Sequence, residues 1–188
     1  MLWVVIAVDL IRSQMAYFSH MSKKEAKKIP LEKVPEGVEK CKNVTIKRLD
    51  SAELLIDNPD CVNDAGLLVI HALEEYGKAM ILERKSKEAK IRGEPFILIN
   101  GRSDPFYDHQ QKIGAALGAL PPETGRLTMG TFDPTQTFFK TGEKEISQDL
   151  KESVTYADFN DGNWVTPHTF NPAQLKKLIG EIRSHVVI

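Results

Sequence analysis

Apolar residues recur with helical spacing in the middle of the chain, between Gly66 and Lys90. At about 100° per residue most of them fall on one broad face, which leaves only a narrow polar strip. A helix that is apolar on nearly every side is expected to be buried, so ionisable residues on its remaining strip need partners or a function. The polar strip consists of His71, Glu74, Glu75 and Lys78, and Lys85 continues it.

The segments before and after this helix carry further helix signals. Apolar spacing from Glu36 to Asp57 predicts an α-helix that stops at Asn58-Pro59-Asp60. The connection to the central helix is short, which predicts that the two helices are antiparallel neighbours. Near the end of the chain, Asn171-Pro172 has the residue types of a helix cap and first position, so a last helix is expected from there.

A third helix is predicted between the central helix and the C-terminal region. Phe96–Ile99 is a brief apolar run that fits either a strand or buried coil. Asp104 has the residue type of a helix cap and Pro105 that of a first helical residue. Pro121-Pro122 ends the helix.

The C-terminal third of the chain has less regular patterns. Residues 121–142 have no period and predict a loop, 143–154 predict a short amphipathic helix, and 156–164 predict an extended segment that turns at Asp161-Gly162. The fold class expected is all-α: an antiparallel helical bundle with a small irregular C-terminal element and a final helix. One domain over residues 36–188 accounts for this pattern.

Residues 1–35 are predicted to be a lead-in to that domain. Leu2–Val8 is apolar but too short to span a bilayer, so no membrane contact is expected. Translation could begin at Met21, in which case residues 1–20 would not belong to the native protein. Residues 22–36 are rich in lysine and contain two prolines, which favours an extended arm over a packed element.

Composition and charge limit the classes of function. The chain has 188 residues, 41% of them apolar, a formal net charge of -1 and a pI near 6.5. A globally basic nucleic-acid binder is therefore excluded, and any phosphate contact must come from a local cluster. Cys41 and Cys61 are too few for a disulfide framework, which favours a reducing, cytoplasmic location.

Two of the predicted helices offer ionisable groups beside apolar faces, and together these groups could cleave RNA. A histidine can move a proton while arginine or lysine stabilises the phosphorane formed when the adjacent 2′-hydroxyl attacks. Such chemistry needs no cofactor, and the spacing of His71, Glu74 and His109 matches no strong metal-ligand pattern, so no metal is expected. The ionisable groups are Glu74, Glu75 and Lys78 on the central helix, His109 and Lys112 on the third, and Arg102 before His109.

The same residues also have structural interpretations. Arg48 projects from the apolar stripe of the first helix and is predicted to pair with Glu74 or Glu75. Glu74 and Lys78 form an i,i+4 pair that could stabilise only the helix itself. A purely structural role for the whole cluster therefore stays open beside catalysis and binding.

Two sequence motifs resemble a known family. The run Ala72-Leu73-Glu74-Glu75-Tyr76-Gly77-Lys78-Ala79, followed about thirty residues later by Phe106-Tyr107-Asp108-His109-Gln110-Gln111-Lys112-Ile113, resembles the AbiV-type abortive-infection proteins of the HEPN superfamily. Tyr156-Ala157-Asp158 with Gly162, Trp164 and Pro167 is similar to that family's C-terminal element. The resemblance covers roughly residues 38 to 186.

The resemblance implies an α-helical bundle, a homodimer with the site near its interface, and a role in defence against phage. It places Glu74, Glu75 and Lys78 in the family's first motif and His109 and Lys112 in its second, and Asn43 falls where similar proteins often have an asparagine. Arg102 and His109 fit the HEPN ribonuclease spacing of arginine, four to six residues, histidine.

Two functions follow as expectations from the resemblance. In the first, the protein is a metal-independent ribonuclease with His109 as acid or base and Arg102 as a catalytic cation. Glu74 and Glu75 would orient His109 or Arg48, while Lys78, Lys112, Arg48 and Asn43 would bind substrate. In the second, the protein is a non-catalytic binding module that blocks phage growth or translation through a phage or host protein.

Overall fold

A computed structural model describes residues 26–101, 104–122, 158–160, 163–165 and 170–186 of the chain. Helices dominate it, so the all-α fold class is confirmed. Its elements in chain order are β1 (Lys27–Pro30), α1 (Val34–Leu55), α2 (Val62–Arg92), β2 (Phe96–Ile99), α3 (His109–Ala119), β3 (Asp158–Asn160), β4 (Asn163–Val165) and α4 (Pro172–His185).

Helices α1 and α2 form the central pair of the bundle. The Thr45 hydroxyl of α1 lies 3.4 Å from the Ala72 carbonyl of α2, and Lys42 lies 3.3 Å from Glu83. The α1 residue with the lower number contacts the α2 residue with the higher number. The two helices are therefore antiparallel, as predicted. Helix α2 ends at Gly93, whose φ of 69° is the left-handed conformation that glycine adopts without strain.

Besides a smaller apolar cluster between α1, α2 and the β1–β2 pair, the main apolar core joins α1 and α2 to the other two helices. Fully burying one aliphatic side chain of this kind stabilises a fold by about 1.5–3 kcal/mol. Helix α4 is also tied to α1 by charge, because the Arg183 guanidinium lies 2.9 Å from both Asp50 and Glu53. The largest fully buried side chains of this core are Leu49, Ile56, Ile70, Leu73, Ile113, Leu175, Leu178, Ile179 and Ile182.

The prediction of an unpacked arm over residues 22–36 was wrong for the part that the structure describes. Lys27–Pro30 pairs antiparallel with Phe96–Ile99, with Lys27 opposite Ile99, and Val34 is buried. Ile97 and Ile99 face the core, and this apolar strand needs a hydrogen-bonding neighbour that the lysine-rich segment supplies. The apolar run at 96–99 is therefore a strand.

The predicted start of the third helix was also wrong, by four residues. Helix α3 begins at His109, and Asp108 is its cap because the Asp108 carboxylate accepts a 2.9 Å hydrogen bond from the Gln111 amide. Asp104 instead lies buried in the preceding turn. His109 is consequently the first residue of the helix.

The C-terminal elements agree with the patterns that fall on described residues. Strands β3 and β4 pair antiparallel on either side of Asp161-Gly162, and Asn171 caps α4 by accepting hydrogen bonds from the amides of Ala173 and Gln174. The helix predicted over 143–154 lies outside the described residues, as does the predicted loop from residue 123 onward. Within the described ranges, every helix is too short or too polar to cross a membrane.

Candidate functional site between helices α2 and α3

The carboxylate of Glu74 bridges two side chains of α3. Its Oε1 lies 2.9 Å from Nδ1 of His109, and its Oε2 lies 3.3 Å from Nζ of Lys112. His109 and Lys112 are three residues apart, so they lie on one face of α3 and reach the same carboxylate. The sequence prediction that acidic and basic groups of these two helices meet agrees with this geometry.

The three groups differ in their exposure to solvent. The Glu74 and Lys112 side chains are only 8% and 6% exposed, whereas the His109 imidazole is 51% exposed. When Nδ1–H of a neutral imidazole donates to a carboxylate, Nε2 is left with its lone pair. The site therefore combines a buried ion pair with a half-exposed imidazole whose Nε2 is not used in the contact with Glu74.

Gly77 makes the close contact between the two helices possible. A Cβ atom at this position would lie 1.8 Å from the carbonyl oxygen of Lys112 and 2.9 Å from its Cα, so only glycine fits. Gly77 lies one turn after Glu74, and the contact brings α3 within reach of that carboxylate. Sequence analysis did not assign Gly77 a role, although a glycine within a long buried helix is itself a signal of close packing.

Burial lowers the pKa of the Lys112 ammonium, and the neighbouring charge of Glu74 opposes this shift. The charges of Lys78 and Glu75 also act on Lys112. Lys112 is therefore part of a cluster of several charges and does not form an isolated pair. Its ammonium faces Glu74 inside the protein, which does not suit the substrate-binding role predicted for it.

Glu75 and Lys78 pair with each other beside the bridge. Lys78 Nζ lies 2.7 Å from Glu75 Oε1 and 5.8 Å from the centre of the Phe106 ring, which is a cation–π distance. On α1, burial raises the pKa of the Cys41 thiol, and the charge of Glu75 adds to this shift while that of Lys78 opposes it.

The remaining predicted site residues are Arg48, Asn43 and Arg102. The predicted pairing of Arg48 with Glu74 or Glu75 was wrong: among the described residues no ion pair joins them, and the buried Nε of Arg48 has no hydrogen-bond partner. The two carboxylates are instead held by Lys112, His109 and Lys78. Asn43 is half-buried on α1, and Arg102 lies outside the described residues.

Sequence analysis missed a second buried charge next to the site. Asp104 is 2% exposed and lies 2.9 Å from Nζ of Lys85, on the same helix as Glu74. Lys85 had been noted only as an extension of the polar strip. The ranges that the structure describes contain no group of three or more His, Cys, Asp or Glu side chains placed to hold a metal ion.

Glu74 and His109, the two ends of the bridge, lie in the two motifs that resemble the AbiV proteins, and a comparison with family models agrees with that resemblance. No curated protein and no solved structure matches the chain. The family model HEPN_AbiV, described as AbiV, matches residues 33–186, which is most of the chain and includes α1 to α4. The chain therefore belongs to the AbiV family of HEPN proteins.

Proposed function

We propose that this protein acts in abortive infection as a metal-independent endoribonuclease whose proton-transferring group is His109. Membership of the AbiV family indicates a role in defence against phage. The observation that supports catalysis most strongly is the Glu74 bridge, because it orients a half-exposed imidazole with a carboxylate that is itself held by a buried lysine. Catalytic histidines are commonly oriented in this way.

In the proposed reaction, Nε2 of His109 takes the proton of a ribose 2′-hydroxyl. The 2′-oxygen attacks the adjacent phosphorus and the bond from phosphorus to the 5′-oxygen breaks. The 5′-oxygen takes a proton from solvent water, and His109 returns its proton to solvent. The products are a 2′,3′-cyclic phosphate and a free 5′-hydroxyl. Glu74 stabilises the imidazolium that forms in the first step, and Lys112 keeps the Glu74 carboxylate in place.

The phosphate contacts in this proposal come from the outer part of the site. Lys78 is partly exposed beside His109's helix and is held by Glu75 and the Phe106 ring. Arg102 precedes α3 in the chain and supplies the second cation expected from the family spacing. Lys112 is assigned to positioning and not to substrate binding, because its ammonium is buried against Glu74.

The test is an RNA-cleavage assay without added metal, comparing the wild-type protein with His109→Ala. Loss of a general base is expected to lower the rate by about 10²–10⁴-fold. His185→Ala is a matched control, because His185 lies on α4, where its ring contacts only Ser184 and Glu181 among the described interactions. The control should cleave like the wild type, and both should yield cyclic phosphate ends.

Equal cleavage by all three proteins, or cleavage by none, would contradict the ribonuclease proposal. The alternative is a non-catalytic binding module, in which the Glu74 bridge and the Gly77 contact serve to fix the packing of α3 on α2. In that case a phage or host protein would be the partner. Retained phage resistance in the His109→Ala variant would favour this alternative.

A further inference from the structure

A second charged contact lies about three turns farther along the face of α2 that carries Glu74. Nζ of Lys85 in α2 donates a 2.9 Å hydrogen bond to Oδ2 of Asp104, and it also donates a 2.9 Å bond to the carbonyl oxygen of Leu98 at the end of β2. One lysine therefore ties α2 to the strand and to the turn that follows it. We refer to the Lys85–Asp104 ion pair as the clamp.

The Asp104 carboxylate also organises the turn itself. Its Oδ2 accepts a 2.8 Å hydrogen bond from the amide of Asn100, and its Oδ1 accepts a 3.0 Å bond from the amide of Phe106. Burial raises the pKa of this carboxyl, but the two amide bonds and the Lys85 ammonium together outweigh burial, so that the pKa lies below its ordinary value of 3.8. A buried carboxylate with this many donors is ionised and fixed in place.

The turn held by the clamp leads directly to the first residue of α3. The backbone carbonyl of Asp104 accepts bonds from the amides of Tyr107 and Asp108, at 2.8 and 3.3 Å. Asp108 is the cap of α3, and His109 follows it. Hydrogen bonds thus connect Lys85 to the residue before His109 without a break.

We propose that Lys85 and Asp104 are positioning residues that set where α3 begins and thereby hold His109 against Glu74. Helix α2 holds the start of α3 at two places. Lys85 contacts Asp104 in the turn before α3, and Glu74 contacts His109 within α3. Neither clamp residue needs to touch RNA. The inference rests on the proposed function only for its effect on cleavage, since the effect on structure can be measured separately.

The first test measures structure by amide hydrogen exchange in Lys85→Met. The amides of Phe106 and Gln111, which donate to Asp104 and Asp108, should exchange faster than in the wild type. The amide of Leu49, in the core of α1, should be unchanged. Asp104→Asn serves as a second variant, because it removes the charge but keeps an oxygen acceptor. Unchanged exchange at Phe106 and Gln111 in both variants would overturn the proposal.

The second test measures cleavage kinetics in the same variants. A misplaced His109 should lower kcat by about 10²-fold with little change in KM, because the RNA contacts are retained. Lys85→Arg keeps the positive charge and should restore most of kcat, and Lys47→Met, which removes an exposed lysine of α1, should leave kcat unchanged. A kcat for Lys85→Met equal to that of Lys47→Met would overturn the positioning role. If the wild-type protein does not cleave RNA, the proposed function fails and the exchange test still decides the clamp.

Discussion

Lys112 is a lysine that the fold holds almost entirely out of water. Its side chain is 6% exposed and its ammonium meets the Glu74 carboxylate, yet burial is the larger effect and lowers its pKa below the ordinary value of 10.5. The unfolded chain therefore binds a proton at Lys112 more tightly than the folded protein does. The free energy of unfolding should accordingly rise with pH as Lys112 loses its proton, over an alkaline range that ends near 10.5.

The predicted rise of the free energy of unfolding with pH can be checked by urea unfolding of the wild type and Lys112→Met, at a series of pH values from neutral toward 10.5. The wild type should gain stability relative to the variant as the pH rises. Lys177→Met, which removes an exposed lysine of α4, is the control and should show no such trend relative to the wild type. If the stability of the wild type relative to Lys112→Met falls with rising pH, the charge of Glu74 has a larger effect on the pKa of Lys112 than burial has.

At the scale of elements, the contact between α2 and α3 depends on Gly77 of α2, whereas a Cβ on either glycine of α3 would meet no atom within 4 Å. A Cβ at Gly77 would overlap the Lys112 backbone, whereas a Cβ at Gly114, on the outer face of α3, would meet no atom within 4 Å. Gly77→Ala should therefore force the helices apart and destabilise the protein by about 1–3 kcal/mol or more. Gly114→Ala should stabilise it by about 0.5–1 kcal/mol, because alanine favours the helix.

The two glycine variants are compared by urea unfolding, and their shifts should have opposite signs. Gly77→Ala should also separate Glu74 from Lys112, so its loss of stability should be smaller when Lys112 is already replaced by methionine. Equal and small effects of both substitutions would contradict the close packing at Gly77.

Most elements were predictable because their signals are local. The apolar stripe of α2 and the Asn171-Pro172 start of α4 lie within a few residues of the structure that they specify. The β1–β2 pairing was not predictable, because its strands are more than sixty residues apart and Lys27-Lys28 resembles a solvated arm. The start of α3 was missed because Asp104 and Asp108 are both suitable caps, and only the ion pair with the half-buried Lys85 shows that Asp104 serves another purpose.

The same reasoning applies to the candidate site. The contact between Glu74 and His109 could be predicted from the sequence, because both residues lie beside apolar helical faces that must pack together. Arg48 could not be placed, because the partner of a charge within a stripe depends on how the two helices are rotated against each other. The predicted homodimer is not tested by a single chain and stays a prediction.

At the scale of the whole molecule, a net charge of -1 limits how RNA can be held. If Lys78 and Arg102 provide the phosphate contacts, two counterions are released, and the slope of log K against log salt should be about -1.4 for single-stranded RNA. Lys78→Gln should make that slope shallower by about 0.7. The measurement is fluorescence anisotropy of a short RNA across a salt series, with non-cleavable 2′-O-methyl RNA as the ligand.

RNA bound to a different surface of the protein would give a different slope of log K against log salt. The C-terminal turns of α2 carry Arg84, Lys87, Lys90 and Arg92, and RNA bound along them would release more ions and be insensitive to Lys78. A slope much steeper than about -1.4 that Lys78→Gln leaves unchanged would therefore place the RNA on the end of α2, away from His109. Because cleavage requires the 2′-hydroxyl to lie near the imidazole, that result would count against His109 as the catalytic base even if the protein binds RNA tightly.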